Sequence, residues 1–274
     1  MCCILVNVDG GICSQMQQYS MGRLLAKQGK RVCYDLSFYH YGRDIYGQDV
    51  RNFDLLKAFP SLSFPTTSSW RLKLYHRFFR HDGQYPKVTD EDWTQFKAPM
   101  FMSGYYREVA EMYEDYQTLF KIDPQVLDPR NSDIYHSIPD NAVAIHVRRG
   151  DLSTYQEAYG HPATIGYFKE AIELLEQRFG RLEYYIFSDG MEYVKQELLP
   201  VLSEETHYHL VENDAAHGYF DLIHMSRCRH HICSKGSLAK FAACLSTQEG
   251  VAITIKDDTQ LGPLAFTGKE VISI

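Results

Sequence analysis

The second half of the chain alternates between short apolar runs and segments with helical periodicity, and no other feature constrains its fold as strongly. The short runs, which favour strands, are residues 143–147, 184–187, 207–211, 230–233 and 251–255. The helix-like segments between them are residues 165–179, 191–202, 218–228 and 237–245. Strands and helices in unbroken alternation predict a parallel sheet with helices on its faces. Ligands bind to such sheets in the crevice beyond the carboxyl ends of the strands.

The first half opens with the same pattern and then loses it. Strands are predicted at 3–8 and 31–36, with a helix at 15–26 between them. Residues 59–69 are rich in Pro, Ser and Thr and indicate a loop, whereas apolar spacing predicts a helix over 105–120. The first half is therefore also predicted to be α/β.

A predicted linker separates the two halves. Residues 128–140 contain Pro129, Asn131 and Pro139, which is typical of a connecting segment. We predict two α/β domains, residues 1–132 and 133–274, whose parallel sheets face each other across a cleft. A chain of 274 residues is long enough for two such domains, each with its own core.

Composition narrows the possible functions. The formal charge of −7 argues against general nucleic-acid binding, so any bound phosphate must be met by a local basic cluster. Seven cysteines without a spaced framework indicate free thiols in a reducing compartment. No apolar run is long enough to span a bilayer, and residues 1–6 favour a first strand over a signal peptide. We therefore expect a cytoplasmic protein, with peripheral contact at the inner face of the membrane as a further option.

A strand that ends in two arginines is the strongest chemical signal. Residues 143–147 lead directly into Arg148, Arg149, Gly150 and Asp151. Arginine suits phosphate because its planar fork binds two oxygens at once and stays charged. Alternation along the strand places His146 and Arg148 on one face and Arg149 on the other. The other interpretation, a solvated arginine pair closed by a salt bridge to Asp151, remains open on these residues alone.

A second polar turn follows a strand of the same predicted sheet. Residues 234–237, Ser-Lys-Gly-Ser, leave a strand and enter a helix, so Ser237 can cap that helix and its exposed N–H groups favour phosphate. Lys235 adds a positive charge. Asp221, early in the preceding helix, could accept hydrogen bonds from N1–H and N2–H₂ of guanine. The alternatives are a turn that only caps a helix and an aspartate that only complements a helix dipole.

Three other features have weaker implications. Residues 9–15, Asp-Gly-Gly-Ile-Cys-Ser-Gln, are not a GxGxxG dinucleotide motif but could approach a sugar or pyrophosphate. Cys228 and Cys233 lack a second pair of metal ligands and favour buried thiols beside a core strand. Residues 70–87, rich in basic and aromatic side chains, could touch an anionic membrane surface or a large anionic acceptor. For this segment we favour an amphipathic helix with a solvated basic face.

Taken together, these residues resemble a known family. Residues 146–151 match the His-x-Arg-Arg-Gly-Asp motif of the α-1,2-fucosyltransferases, glycosyltransferase family 11, which α-1,6-fucosyltransferases and protein O-fucosyltransferases share more loosely. Further segments that resemble the family are residues 10–19, 22–26, 34–37, 50–55 and 187–189. The resemblance extends over nearly the whole chain, and the arginine motif is its most specific part.

The resemblance implies a GT-B-like fold of two Rossmann-like domains, a GDP-fucose donor, inversion at the anomeric carbon, and neither a metal nor a cofactor. The acceptor would be a hydroxyl of a galactose-containing glycan. By position, Arg148 would hold the β-phosphate, His146 would lie against the nucleoside, and Asp221 would read guanine. The remaining residues implied to contact the donor are Arg149, Ser234, Lys235, Ser237, Gly10, Gly11 and Gln15.

Inversion also requires a base that takes the acceptor proton. Asp151, Glu157 and His161 follow the arginine motif, and Asp9 could enter from the other domain. We place Asp151 and His161 with Arg148 in the predicted catalytic set.

The chain departs from the family pattern at three places, and its resemblance is that of a divergent member. Residues 13–14 are Cys-Ser instead of Gly-Asn, Gly190 replaces a second aspartate, and residues 234–239 lack the phenylalanine and both tryptophans of Ser-x-Phe-Ser-Trp-Trp. The alternative function is therefore a catalytically weak or inactive GDP-sugar-binding relative that acts as a scaffold.

Overall fold

The chain forms two α/β units, which divide between Leu119 and Phe120. A computed structural model describes residues 2–40, 51–82, 91–150, 152, 161–203, 205–256 and 261–274. Within these residues, no helix is both long and apolar enough to span a membrane.

The first unit contains a four-stranded parallel sheet in the order β2-β1-β4-β3. Its described elements are β1 (Ile4–Asn7), α1 (Ile12–Lys27), β2 (Val32–Asp35), α2 (Leu55–Ala58), α3 (Ser69–Phe78), β3 (Arg80–Asp82), β4 (Met100–Ser103) and α4 (Tyr116–Leu119). The first three elements agree with the sequence prediction. Beyond them, the order of the strands along the sheet could not be read from the sequence.

The second unit contains a six-stranded parallel sheet in the order β10-β9-β8-β5-β6-β7. Its described elements begin with α5 (Pro129–Ser137), β5 (Ala142–Val147), α6 (Ile165–Phe179), β6 (Glu183–Ser188) and α7 (Met191–Tyr193). They continue with β7 (His207–Val211), α8 (Gly218–Arg227), β8 (His230–Cys233), α9 (Leu238–Leu245), β9 (Val251–Thr254) and β10 (Glu270–Ser273). The predicted parallel sheet is confirmed.

The strand order of the second unit locates its ligand site. From β5 the chain adds β6 and β7 on one side, and then β8, β9 and β10 on the other. This is the 3-2-1-4-5-6 order of the Rossmann fold, and its topological switch point lies between β5 and β8. All six residues of β5 are buried, because a central parallel strand is covered on both faces. The carboxyl ends of β5 and β8 are therefore the expected edge of a binding crevice.

Three predictions made from the sequence need correction. The predicted helix over 105–120 is two short pieces, the 3₁₀ turn Ala110–Met112 and α4, because the aromatic residues of this segment pack in a folded loop. The basic segment 70–87 is helical only to Phe78, where β3 joins the sheet, and residues 83–87 lie outside the described residues.

The segment predicted as a linker is also different. Its Pro129 begins α5, since Asp128 caps that helix by accepting from the N–H of Asn131 (2.8 Å). The buried carbonyl of Asn131 is 2.9 Å from Nε2 of His224 in α8, so α5 packs within the second unit. The division between the units accordingly lies before this segment and not at residues 132–133.

Candidate functional site

A buried serine joins the ends of the two central strands. The Oγ of Ser234, which follows β8, accepts from the backbone N–H of Arg148 (3.1 Å) and lies 3.1 Å from Nδ1 of His146. Burial and then the nearby charge of Arg148 lower the pKa of His146 to about 4, against the effect of Asp189. The imidazole is therefore neutral at physiological pH and can accept the Ser234 proton at Nδ1. This chain of contacts fixes the backbone from which the Arg148 side chain extends.

The Arg148 side chain lies over the glycine of the polar turn. A Cβ placed on Gly236 would lie 2.8 Å from Nη1 of Arg148 and 3.2 Å from its Cδ. Gly236 also has φ of +104°, a conformation that residues with side chains rarely adopt. The backbone conformation thus favours glycine here, and the absence of a Cβ leaves room for the guanidinium above it. The sequence predicted neither contact.

Arg149, the second arginine of the motif, extends toward the turn that follows β6. The N–H of Arg149 donates to Oδ1 of Asp189 (2.6 Å), and its Cζ lies 3.3 Å from the ring centroid of Tyr193. Such stacking holds a guanidinium by cation–π attraction. Its Nε is buried without a hydrogen-bond partner among the described residues. The two arginines therefore diverge, Arg148 toward the turn after β8 and Arg149 toward the turn after β6.

Asp221 lies in the first turn of α8, which starts beyond the carboxyl end of β7. Asn213 donates its Nδ2 to Oδ1 of Asp221 at 2.7 Å. Burial raises the pKa of Asp221 to about 7, although the Asn213 hydrogen bond opposes the shift. The carboxyl group is therefore poised to change charge near neutral pH.

The described part of the turn in the first unit is built mainly from its own hydrogen bonds. Gln15 is fully buried, and its amide donates to the carbonyls of Gly10 (3.1 Å) and Asn52 (2.8 Å) and accepts from the N–H groups of residues 54 and 55 (both 2.9 Å). The sequence predicts that Gln15 contacts the donor, but these four hydrogen bonds assign it to the scaffold of the turn. Gly10, with φ of +70°, and Gly11, which precedes α1, form the turn itself.

Asp9, the candidate base from this unit, is also engaged. Its Oδ1 accepts from Gln18 (2.8 Å) and its Oδ2 from Asn7 (2.9 Å), while burial raises its pKa. Both oxygens are therefore already used in holding the β1 end to α1.

The structure says less about the remaining predicted site residues. Asp151 and Glu157 lie outside the described residues, and His161 is exposed. Lys235 and Ser237 are half-buried on the turn before α9. Ser237 is the N-cap residue of α9, but its side chain makes no capping hydrogen bond, contrary to the prediction.

Tyr193 and Asn213 were not predicted from the sequence, and Asp189 was named only within residues 187–189, which resemble the family. Tyr193 follows Gly190 by three residues, so the first helical turn after β6 was the available signal for it. Asn213 follows β7 by two residues, so its position at a strand end was the available signal for it.

Within the described ranges, no three His, Cys, Asp or Glu side chains lie close enough together to hold a metal ion. Cys228 and Cys233 are buried and form no disulfide, and Nε2 of His231 lies 2.9 Å from the carbonyl of Met225. The chain contains one Asp-x-Asp sequence, at residues 90–92, in which Asp92 caps a turn by accepting from the N–H of Thr94 (3.1 Å).

The chain belongs to glycosyl transferase family 11, whose model matches residues 66–262, more than two thirds of its length. The resemblance carried by the arginine motif is thereby confirmed. The motifs at residues 10–55 lie outside this match.

The chain is also similar to curated glycosyltransferases and to solved structures. An α-1,2-colitosyltransferase of Escherichia coli is 29% identical over 42% of this chain and 39% of its own length. The O-antigen biosynthesis glycosyltransferase WbnK of Escherichia coli is 25% identical over 48% of this chain and 44% of its own. The alignments thus span less than half of either relative.

Among solved structures, E. coli ADP-heptose LPS heptosyltransferase II is similar with a TM-score of 0.49 and 14% identity, over 98% of this chain and 90% of that one. POFUT1 in complex with GDP is similar with a TM-score of 0.44 and 13% identity, over 99% of both chains.

Proposed function

We propose that this protein is an inverting glycosyltransferase that moves fucose from GDP-fucose to a hydroxyl of a galactose-containing glycan. The observation that carries the proposal is the position of Arg148, held by Ser234 at the β5–β8 switch point, with its guanidinium over the Gly236 turn. A fixed guanidinium beside a strand-to-helix turn suits a diphosphate. Membership of glycosyl transferase family 11 supports the reaction class.

The proposed mechanism rests on charge that develops during transfer. As the bond from the anomeric carbon to the β-phosphate oxygen breaks, the leaving GDP gains negative charge. Arg148 stabilises that charge through two parallel N–H donors, and a preorganised donor of this kind contributes about 3 kcal/mol or more to lowering the barrier. The acceptor oxygen attacks from the opposite face and gives up its proton to a base, for which we propose Asp151 or His161.

We further propose that this charge is neutralised without a divalent cation and that the protein works in the cytoplasm. Arg148 and Lys235 supply fixed positive charge at the same strand ends. None of the seven cysteines, all within the described residues, forms a disulfide, which suits a reducing compartment.

A GDP-sugar-binding scaffold without turnover is the second candidate. It is favoured by Leu238 and Ala239, which stand where the family pattern has two tryptophans. A scaffold of this kind would keep the Arg148 and Asp221 contacts while failing to transfer the sugar.

Turnover with a defined set of donors separates these functions. We expect release of GDP from GDP-fucose in the presence of galactosides, no release from UDP-sugars, and unchanged rates in EDTA. Binding of GDP-fucose by calorimetry without turnover on any acceptor in a broad galactoside panel would favour the scaffold. Loss of turnover in EDTA and recovery with Mn²⁺ would contradict the metal-free mechanism.

Donor affinity should depend on pH through Asp221. Its raised pKa means that the free protein holds this proton up to about pH 7, whereas guanine N–H donors require the ionised carboxylate. Affinity for GDP-fucose should therefore rise roughly tenfold or more from pH 5.5 to 7.5 and then level off. Calorimetric titration at several pH values measures this dependence.

Asp221→Asn is the matched control, because it keeps the shape of the side chain and removes its titration. It should bind GDP-fucose more weakly at pH 7.5 and with little pH dependence. A wild-type affinity that is flat with pH, or equal affinities for GDP and UDP, would contradict the guanine role of Asp221.

A further inference from the structure

Helix α3 has two apolar faces, and the described residues of the fold pack against only one of them. Leu72 and Phe79, just beyond its end, pack with Tyr75 against the core of the first unit. On the other side, Trp70, Leu74 and Phe78 are 66%, 40% and 63% exposed. These three residues are spaced four positions apart in the sequence, so they lie along one side of the helix. They are half of the exposed large apolar residues among the described parts of the chain.

Basic side chains border this outer stripe. At 3.6 residues per turn, Trp70, Leu74 and Phe78 cover an arc of about 80°, with Lys73 and Arg77 along one margin and Arg71 along the other. The guanidinium of Arg71 lies 5.8 Å from the Trp70 ring, and that of Arg77 lies 5.4 Å from the Phe78 ring. The sequence of α3 contains no acidic residue, although the whole chain carries a charge of −7. The outer face of α3 is thus locally basic on a chain whose net charge is negative.

This combination matches one kind of partner. Aromatic rings and a leucine in a narrow stripe suit the boundary between lipid headgroups and acyl chains, and flanking arginine and lysine suit lipid phosphates. A second copy of the chain is a poor occupant, because it would bring two cationic faces together. We propose that the outer face of α3 binds the surface of an anionic lipid bilayer. The contact is independent of the transfer reaction and of the proposed donor.

The chain contains its own probe for this contact. It has two tryptophans, Trp70 and Trp93, and Trp93 is only 1% exposed with its Nε1 donating to the carbonyl of Arg107 (2.8 Å). A change of tryptophan emission on adding vesicles therefore reports Trp70. We expect a blue shift and co-sedimentation with vesicles of phosphatidylglycerol and phosphatidylcholine, but not with vesicles of phosphatidylcholine alone. Binding should weaken as salt rises.

Surface variants test both the basic side chains and the apolar stripe of the outer face of α3. Lys73→Gln with Arg77→Gln should lower vesicle affinity about fivefold for each charge removed. The matched control is Lys169→Gln with Lys195→Gln, which removes two exposed charges from the second unit and should leave vesicle affinity unchanged. Leu74→Ser with Phe78→Ser should reduce co-sedimentation and the emission shift while keeping the urea midpoint within the range of surface substitutions.

Three results would overturn the proposal. The first is equal binding to neutral and anionic vesicles, or none to either. The second is an equal loss of affinity in the Lys169 and Lys195 control. The third is a concentration-dependent dimer in light scattering that disappears in the Leu74 and Phe78 variant, which would make the face an interface between copies.

Discussion

Arg148→Lys is expected to lower kcat at least ~100-fold while the protein stays folded. Lysine keeps the positive charge but replaces a planar fork with a single hydrated point charge, so two parallel hydrogen bonds to a phosphate become one flexible contact. The backbone N–H of residue 148, which donates to Ser234, is unaffected by the substitution. Steady-state kinetics with GDP-fucose should show the loss mainly in kcat, and a thermal melt should show a fold close to the wild type.

Arg149→Lys is the matched control. Its guanidinium is already held against Tyr193, so we expect a smaller loss of turnover than for Arg148→Lys. Rates near those of the wild type for Arg148→Lys would contradict its phosphate role. A larger loss for Arg149→Lys than for Arg148→Lys would transfer that role to the second arginine.

Gly236→Ala is expected to reduce turnover by roughly 10- to 100-fold, because a displacement of about 1 Å can have an effect of this size. The new methyl group would lie 2.8 Å from Nη1 of Arg148, so the guanidinium must move. The end of an arginine side chain moves at little energetic cost, and the positive φ adds destabilisation of about 1 kcal/mol. Activity should therefore suffer much more than the free energy of unfolding.

Gly180→Ala separates backbone strain from displacement of Arg148. Gly180 has φ of +75°, and a Cβ there would meet no atom within 4 Å. This variant should lose stability comparably in urea unfolding but keep the wild-type kcat. Equal kcat for Gly236→Ala and the wild type would show that the position of Arg148 over the turn is unimportant for transfer.

The sequence predicted the second unit well, because its apolar runs alternate cleanly with helical segments. The predicted strand over 207–211 coincides with β7, and the predicted helix over 218–228 differs from α8 by one residue at its end. Buried parallel strands and amphipathic helices leave periodic patterns that depend only on local spacing. Periodicity failed over 105–120, where aromatic residues pack around two short helical pieces. Residue composition failed over 128–140, where proline begins a helix instead of interrupting one.

The sequence by itself determined the arginine motif, the polar turns and the family to which the chain belongs, since these depend on residue types at fixed spacings. Only the tertiary structure decided which strand ends meet. The order of β5 and β8 in the sheet brings Ser234 to Arg148 and His146 over 86 and 88 residues of chain. It also decided that Arg149 stacks on Tyr193 and that Gln15 is bound within its own unit. Such contacts depend on strand order and packing between distant segments, which a local pattern does not encode.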